Sequence, residues 1–225
     1  MNFTGKTVLV VGGSGVLGGG LVRELASRGA KALATCSSQA TAANVPDEAA
    51  LKLMVDLTNP QSIDVLADYL IETGELDGIV LAAGRVGFGA SQQTGPAETA
   101  LLAQVNYLGQ AHLVSRLTPL LAKGREPFVA AITGVVAEKT FPGMAAYSAS
   151  KTALSAWLST LRFELRRDGV FVLEARPGHT ETGLATRPAF GTAPAMPTGM
   201  QPEHVISVIT AALERGETLL ESSAF

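Results

Sequence analysis

The chain has one cysteine, one tryptophan, three histidines and no excess of positive charge. A lone Cys36 excludes an intrachain disulfide and any cysteine-cluster metal site. His112, His179 and His204 have no ligand spacing, so no metal is expected. Seventeen basic residues against 20 acidic ones leave a net charge of −3 with no basic stripe, so nucleic acid is not an expected partner. The uncharged stretch between Lys6 and Arg23 is too short and too glycine-rich to span a bilayer, and it lacks a signal-peptide cleavage site. These absences predict a cytoplasmic protein without a membrane segment. Charged residues make up only 16% and hydrophobic ones 47%, which argues against disorder. At 225 residues the expectation is a single domain, 1–225, with a sizeable core.

What the chain does have is alternation. Short apolar runs predict strands at 7–11, 32–36, 51–56, 79–83, 128–133 and 170–175, with a seventh at 218–221. Helical spacing predicts helices at 17–28, 60–73, 100–123 (bent before Pro119), 146–167 and 203–215. Strand–helix alternation predicts an α/β fold, a three-layer doubly wound parallel sheet with helices on both faces. Residues 183–202 break the pattern with Pro188, Pro194, Pro197 and Pro202 and a single charge, Arg187. A loop of that length in a compact domain reads as a substrate lid, the alternative being a disordered loop.

The first predicted strand runs into Gly12-Gly13-Ser14-Gly15-Val16-Leu17-Gly18 and then a helix. Glycines there permit the tight turn, let the backbone approach a diphosphate, and pack helix on strand. The diphosphate then lies on the free amides and positive end of the following helix. A glycine-rich turn without a ligand is the bland alternative. After the second strand come Cys36-Ser37-Ser38-Gln39, with no carboxylate before Asp47. An acidic residue at that point would bond the ribose hydroxyls and repel a 2′-phosphate. Its absence, with Ser37 and Ser38 in its place, favours NADP(H) over NAD(H), although no arginine clamp is nearby. Tyr147 and Lys151, at i and i+4, share one helix face. A phenol titrates near 10 and needs a neighbouring cation to act as acid or base at neutral pH. An ordinary exposed Tyr–Lys pair is the alternative for that spacing alone.

Taken together, these motifs resemble those of the short-chain dehydrogenase/reductase family over nearly the whole chain. The resemblance rests on the glycine motif at 12–18, Asp56, Ala82-Ala83-Gly84, Asn106, Pro142-Gly143, Tyr147 with Lys151, and Pro177-Gly178 with Thr182. Residues 34–38 and 56–58 are also similar to the NADPH-dependent 3-ketoacyl carrier-protein reductases. The resemblance implies that Tyr147 donates a proton to a carbonyl oxygen as NADPH delivers hydride to the carbon. It implies that Lys151 binds the nicotinamide ribose and lowers the tyrosine, and that Asn106 kinks its helix and holds a relay water. Asp56 and Leu57 would meet the adenine, and Ala82, Ala83 and Gly84 its ribose. Pro177, Gly178, Thr180 and Thr182 would hold the nicotinamide. The family's catalytic serine falls on Gly134 here, and Thr133 replaces it only if the chain turns or the register slips by one. A lid group such as His179 or Thr182, or a substrate hydroxyl, is the other source of that hydrogen bond.

Trp157, Leu161, Leu154 and Leu165 read as core or as a subunit interface, and the family often pairs this helix across a two-fold axis, so a homodimer or homotetramer is expected. The resulting expectation is an NADP(H)-dependent oxidoreductase acting on a small apolar carbonyl or the matching alcohol. The alternative is a cofactor-binding sensor without turnover, because of Gly134.

Overall fold

The computed structural model describes all 225 residues. Seven strands, β1 (Thr7–Val11), β2 (Lys31–Cys36), β3 (Leu51–Met54), β4 (Gly78–Leu81), β5 (Phe128–Ile132), β6 (Phe171–Ala175) and β7 (Leu219–Leu220), form one parallel sheet in the order β3-β2-β1-β4-β5-β6-β7. The register sets Val10 beside Ala34 and Val80, and Ile132 beside Ala175. Every residue of β1 is buried, as an apolar run without alternation requires in a sheet covered on both faces.

Seven helices, α1 (Val16–Ser27), α2 (Gln39–Ala42), α3 (Pro60–Thr73), α4 (Pro96–Ala103), α5 (Gly109–Leu121), α6 (Ala145–Glu164) and α7 (Pro202–Arg215), complete the chain. Alternate residues of β1 feed two separate cores. Leu9 and Val11 join Ile63 of α3, Leu117 of α5 and Leu158 of α6. Val8 and Val10 join Leu25 of α1 and Ile209 of α7 on the other face. The fold is therefore the expected doubly wound α/β sheet. No helix is long and apolar enough to cross a membrane. Leu154, Leu161 and Leu165 are buried in the first core, and Trp157 packs against it.

Several expected boundaries shift. The third and fourth strands end at Met54 and Leu81, although Val55 and Ala82 still donate to Cys36 and Val11 across the sheet. The helix expected over 100–123 begins at Pro96 and is interrupted by a π-helical turn, Gln104–Leu108, before α5; Pro119 sits in the last turn of α5. The chain reverses direction along the sheet at β1, with β2 on one side and β4 on the other. In open α/β sheets, ligands bind beyond the carboxyl ends of the strands at such a switch point.

Candidate active site

At the end of β1, Gly12 has φ +86°, and a Cβ there would lie 2.7 Å from the backbone of Ala83. A side chain at Gly18 would run into the Gly12 carbonyl. Both positions therefore exclude any residue with a Cβ, and the loop folds flat over the strand ends. Gly15 caps α1 without a side-chain bond, and the first turn of α1 carries no acidic residue. Its amides and positive dipole end are free for an anion. Thr35, buried in β2, accepts the Gly12 amide at 3.0 Å and so anchors the loop. The sequence reading did not single out Thr35; only the strand register brings it there.

A cleft of about 1090 Å³ opens at this switch point. Gly12, Ser14, Gly15, Val16, Leu17 and Gly18 line one end with Ser37, Asp56 and Leu57. Ala82, Ala83 and Gly84 also line it, as do Pro177, Gly178, Thr180 and Thr182. Asp56 fixes its turn by accepting from the Thr58 amide and hydroxyl at 2.9 and 2.7 Å. The Ser38 hydroxyl accepts the Thr41 amide as the N-cap of α2, and Ser38 is not among the residues that line the cleft. Between β2 and Asp47 the sequence has no carboxylate, and Asp47 itself pairs with Lys52 at 3.2 Å.

Tyr147 and Lys151 project from α6 into the same cleft, one turn apart. Lys151 is 4% exposed, and its ammonium donates to the Ile132 carbonyl at 2.8 Å. Burial pushes Lys151 down to about 8 and Tyr147 up to about 12. Desolvation thus makes the phenol a poor acid until a positive charge is placed beside it. Asn106 is wholly buried in the π-helical turn and grips the segment after β4. Its side chain accepts from the Arg85 amide at 2.8 Å and donates to the Arg85 carbonyl and Ser150 hydroxyl at 2.9 Å each. Ser150 donates in turn to the Tyr147 carbonyl at 2.7 Å. Gln110 adds a second amide grip, donating to the carbonyls of Ala83 at 3.0 Å and Val105 at 2.9 Å. A π-turn of this kind is held by such tertiary bonds and often marks a functional position.

Several of residues 183–202, among them Leu184, Arg187, Pro194 and Met196, line the cleft. Ala189 donates to Val86 at 2.8 Å and Phe88 to Phe190 at 3.1 Å, so the segment pairs with the strand-like stretch after β4. Its base is tied by Met200 to His179 at 2.8 Å and Glu181 to Met200 at 2.9 Å. Phe88, Phe141, Met144, Leu184 and Met196 give this half of the cleft apolar walls, with Arg85 and Arg187 also on its lining.

The short-chain dehydrogenase model matches residues 6–189. The chain belongs to that family. It is 31% identical over 179 residues to the uncharacterized oxidoreductase YbbO of Escherichia coli, covering 79% of this chain and 66% of that protein. It is 30% identical over 188 residues to the 3-oxoacyl-[acyl-carrier-protein] reductase FabG of the same species, covering 82% and 77%. A short-chain dehydrogenase from Burkholderia cenocepacia, solved in complex with NADP, superimposes with a TM-score of 0.86 at 22% identity, over 98% of this chain and 89% of that one.

The resemblance puts the family's serine at Gly134 of this short-chain dehydrogenase, and the neighbouring Thr133 hydroxyl is engaged elsewhere. Thr133 is 1% exposed, and its hydroxyl donates to Glu174 at 2.7 Å and stands 3.3 Å from the Ala175 carbonyl. Arg176 binds the same Glu174 carboxylate with Nε at 2.8 Å and Nη2 at 3.0 Å. Burial alone would raise that carboxyl, but hydrogen bonds from Arg176, Thr133 and Ser155 hold it below the usual carboxylate range. Thr133 lines the cleft, but its hydroxyl belongs to this buried polar cluster. Gly134 itself has φ +99°. A Cβ there would have room, its nearest neighbour being the Pro177 carbonyl at 3.6 Å, yet the backbone angle is one that L residues rarely adopt. Gly134→Ser is accordingly expected to lower stability by about 1–3 kcal/mol. A thermal melt that leaves this variant as stable as the parent would show that the loop relaxes freely.

Proposed function

We propose that this protein reduces an apolar ketone or aldehyde with NADPH, or oxidises the matching alcohol. The observation that carries the reading is the convergence of Tyr147 and Lys151 from one helix face on a cleft that the glycine loop also lines. A bound reduced nicotinamide would supply the hydride. Tyr147 would give its phenolic proton to the carbonyl oxygen, with Lys151 lowering the phenol by its charge and bonding the cofactor's ribose. Asn106, which holds Arg85 and Ser150, would keep the floor of the site and the Tyr147 backbone in register. Gly12 through Gly18, Asp56, Leu57, and Ala82 through Gly84 would receive the diphosphate and adenosine. Pro177, Gly178, Thr180 and Thr182 would receive the nicotinamide. The apolar lid, 183–202, supports an apolar substrate, and the absence of a carboxylate directly after β2, before Asp47, supports NADPH over NADH.

A cofactor sensor without turnover is opposed by Lys151, because a buried lysine is costly to keep where no proton moves. Phe163, 74% exposed on α6, supports pairing of two copies through this helix as a homodimer or homotetramer, which light scattering decides. The buried, unpaired Cys36 fits the cytoplasm as its compartment. The functional test is oxidation of NADPH and of NADH against a panel of aryl ketones, long-chain aldehydes and their carboxylated analogues. The expected result is turnover of the uncharged carbonyls, with NADPH favoured at least about tenfold, or about 1.4 kcal/mol. Preference for the carboxylated compounds, or for NADH, would overturn the corresponding part.

A further inference from the structure

Val86, Phe88 and Val136 are buried apolar residues that belong to neither core, and all three line the cleft. Their burial therefore does not serve the packing of helices on the sheet. Phe88 is the largest of them and only 5% exposed, in the half of the cleft that Phe141, Met144, Leu184 and Met196 also wall.

The main chain holds Phe88 at three points. Its amide donates to the Phe190 carbonyl at 3.1 Å, and the next amide, Gly89, donates to the Gly143 carbonyl at 2.8 Å. Its carbonyl lies so close to Gly191 that a Cβ there would overlap it, and Gly191 has φ +69°. Phe88 is thus joined to the lid and to the loop that precedes α6. That loop leads straight to Tyr147, because Met144 caps α6 and its carbonyl accepts the Ser148 amide at 2.8 Å. None of these bonds uses the Phe88 side chain, so they survive a change of the ring. The neighbouring walls are softer. Phe141 and Met196 are exposed, and Met144 and Met196 are unbranched and adaptable. Such side chains move aside for an extra methylene, whereas a ring on a fixed main chain meets it with overlap.

We propose that Phe88 sets the largest apolar group that the site accepts beside the reacting carbonyl, a role that rests on the reductase reading above. Phe88 takes no part in proton or hydride transfer; it sorts carbonyl compounds by the size of one substituent. One methylene more or less in an apolar pocket changes kcat/KM by about 10–200-fold, so a single ring suffices for a sharp limit.

The test measures kcat/KM with NADPH for phenyl ketones bearing methyl, propyl and pentyl chains. It compares wild type, Phe88→Ala, Phe88→Leu and Phe88→Trp, with NADPH affinity measured by fluorescence and folding by thermal melt. The readout is the ratio of pentyl to methyl ketone, which a loss of stability alone leaves unchanged. Phe88→Ala is expected to raise that ratio at least about tenfold, and Phe88→Leu to raise it less. Phe88→Trp is expected to lower it at least about tenfold, and NADPH affinity to stay as in wild type throughout. Should Phe88→Ala fail to fold, the opposite shifts of Phe88→Leu and Phe88→Trp decide. Ratios within about threefold of wild type in every folded variant would overturn the role of Phe88 and leave the reductase reading standing. A ratio that moves the same way in Phe88→Leu and Phe88→Trp would overturn it too, as would a loss of NADPH affinity in Phe88→Leu. Absence of wild-type turnover on every carbonyl, with NADPH bound, would overturn both readings.

Discussion

Replacing Lys151 by methionine is expected to make the folded protein more stable while removing turnover. Lys151 lines the cleft with one protein bond, to the Ile132 carbonyl. Burial lowers it from 10.5 to about 8, and at roughly 1.4 kcal/mol per pH unit this is a cost of about 3 kcal/mol below pH 8. Methionine occupies similar volume without the charge. It leaves the Ile132 carbonyl without its donor, which costs about 1 kcal/mol, so a net gain of about 2 kcal/mol remains. The sign follows from proton binding. Between pH 8 and 10.5 the unfolded chain keeps the lysine proton and the folded one has lost it, so wild-type stability from this residue rises with pH. The variant lacks that rise, and its advantage should shrink from pH 7 to pH 9.5. Above pH 10 Tyr147 acts in the opposite sense, because the folded phenol is held up to about 12 and keeps its proton longer than the unfolded one. Urea unfolding at pH 7 and 9.5 checks the prediction; a variant less stable than wild type at pH 7 refutes it. Turnover should fall by about 10²–10⁴, since Tyr147 then faces its full desolvation alone.

Such a trade is what a functional site looks like when folding and chemistry pull apart, and it bears on how much of this molecule the sequence made legible. The buried strands were readable because runs such as Thr7–Val11 and Phe128–Ile132 have no polar alternation to place them anywhere but in a covered parallel sheet. The glycine loop and the Tyr147–Lys151 spacing were readable because their constraints are local: a positive φ, a close approach, one helical turn. Non-local bonds hid the rest. The π-turn at Asn106 depends on amides of Asn106 and Gln110 reaching Arg85 and Ala83, partners more than 20 residues away. The path of residues 183–202 depends on Ala189 meeting Val86. That the Thr133 hydroxyl bonds Glu174, 41 residues away, and that Ser38 caps a short helix were not legible locally.

Glu174 itself carries the other large effect. Its side chain is 1% exposed and that of Arg176 is 18% exposed. Charges buried in this way are tolerable only while each has its partner, and removing one strands the other at a cost of about 3–5 kcal/mol. Arg176→Met is therefore expected to destabilise the protein by about that much, because it leaves a carboxylate inside the protein with only the hydroxyls of Thr133 and Ser155. The pair Glu174→Leu with Arg176→Met should recover most of the loss, since no buried charge remains. The pH dependence separates this from simple loss of packing. In wild type Glu174 is held below the usual range, so its contribution is present above the unfolded carboxyl value of 4.5 and is lost as pH falls below that. In Arg176→Met burial raises the carboxyl instead, so the variant gains stability as pH falls and the group takes up a proton. The gap between the two proteins should then be widest near neutral pH and close towards pH 4, which unfolding midpoints at pH 7, 5.5 and 4 would show. A gap constant with pH would mean that the aliphatic stem of Arg176, and not its charge, holds β5 to β6. Because Thr133 and Pro177 flank this cluster, the variant should also loosen the Gly134 turn, and NADPH affinity should weaken as the strand ends part.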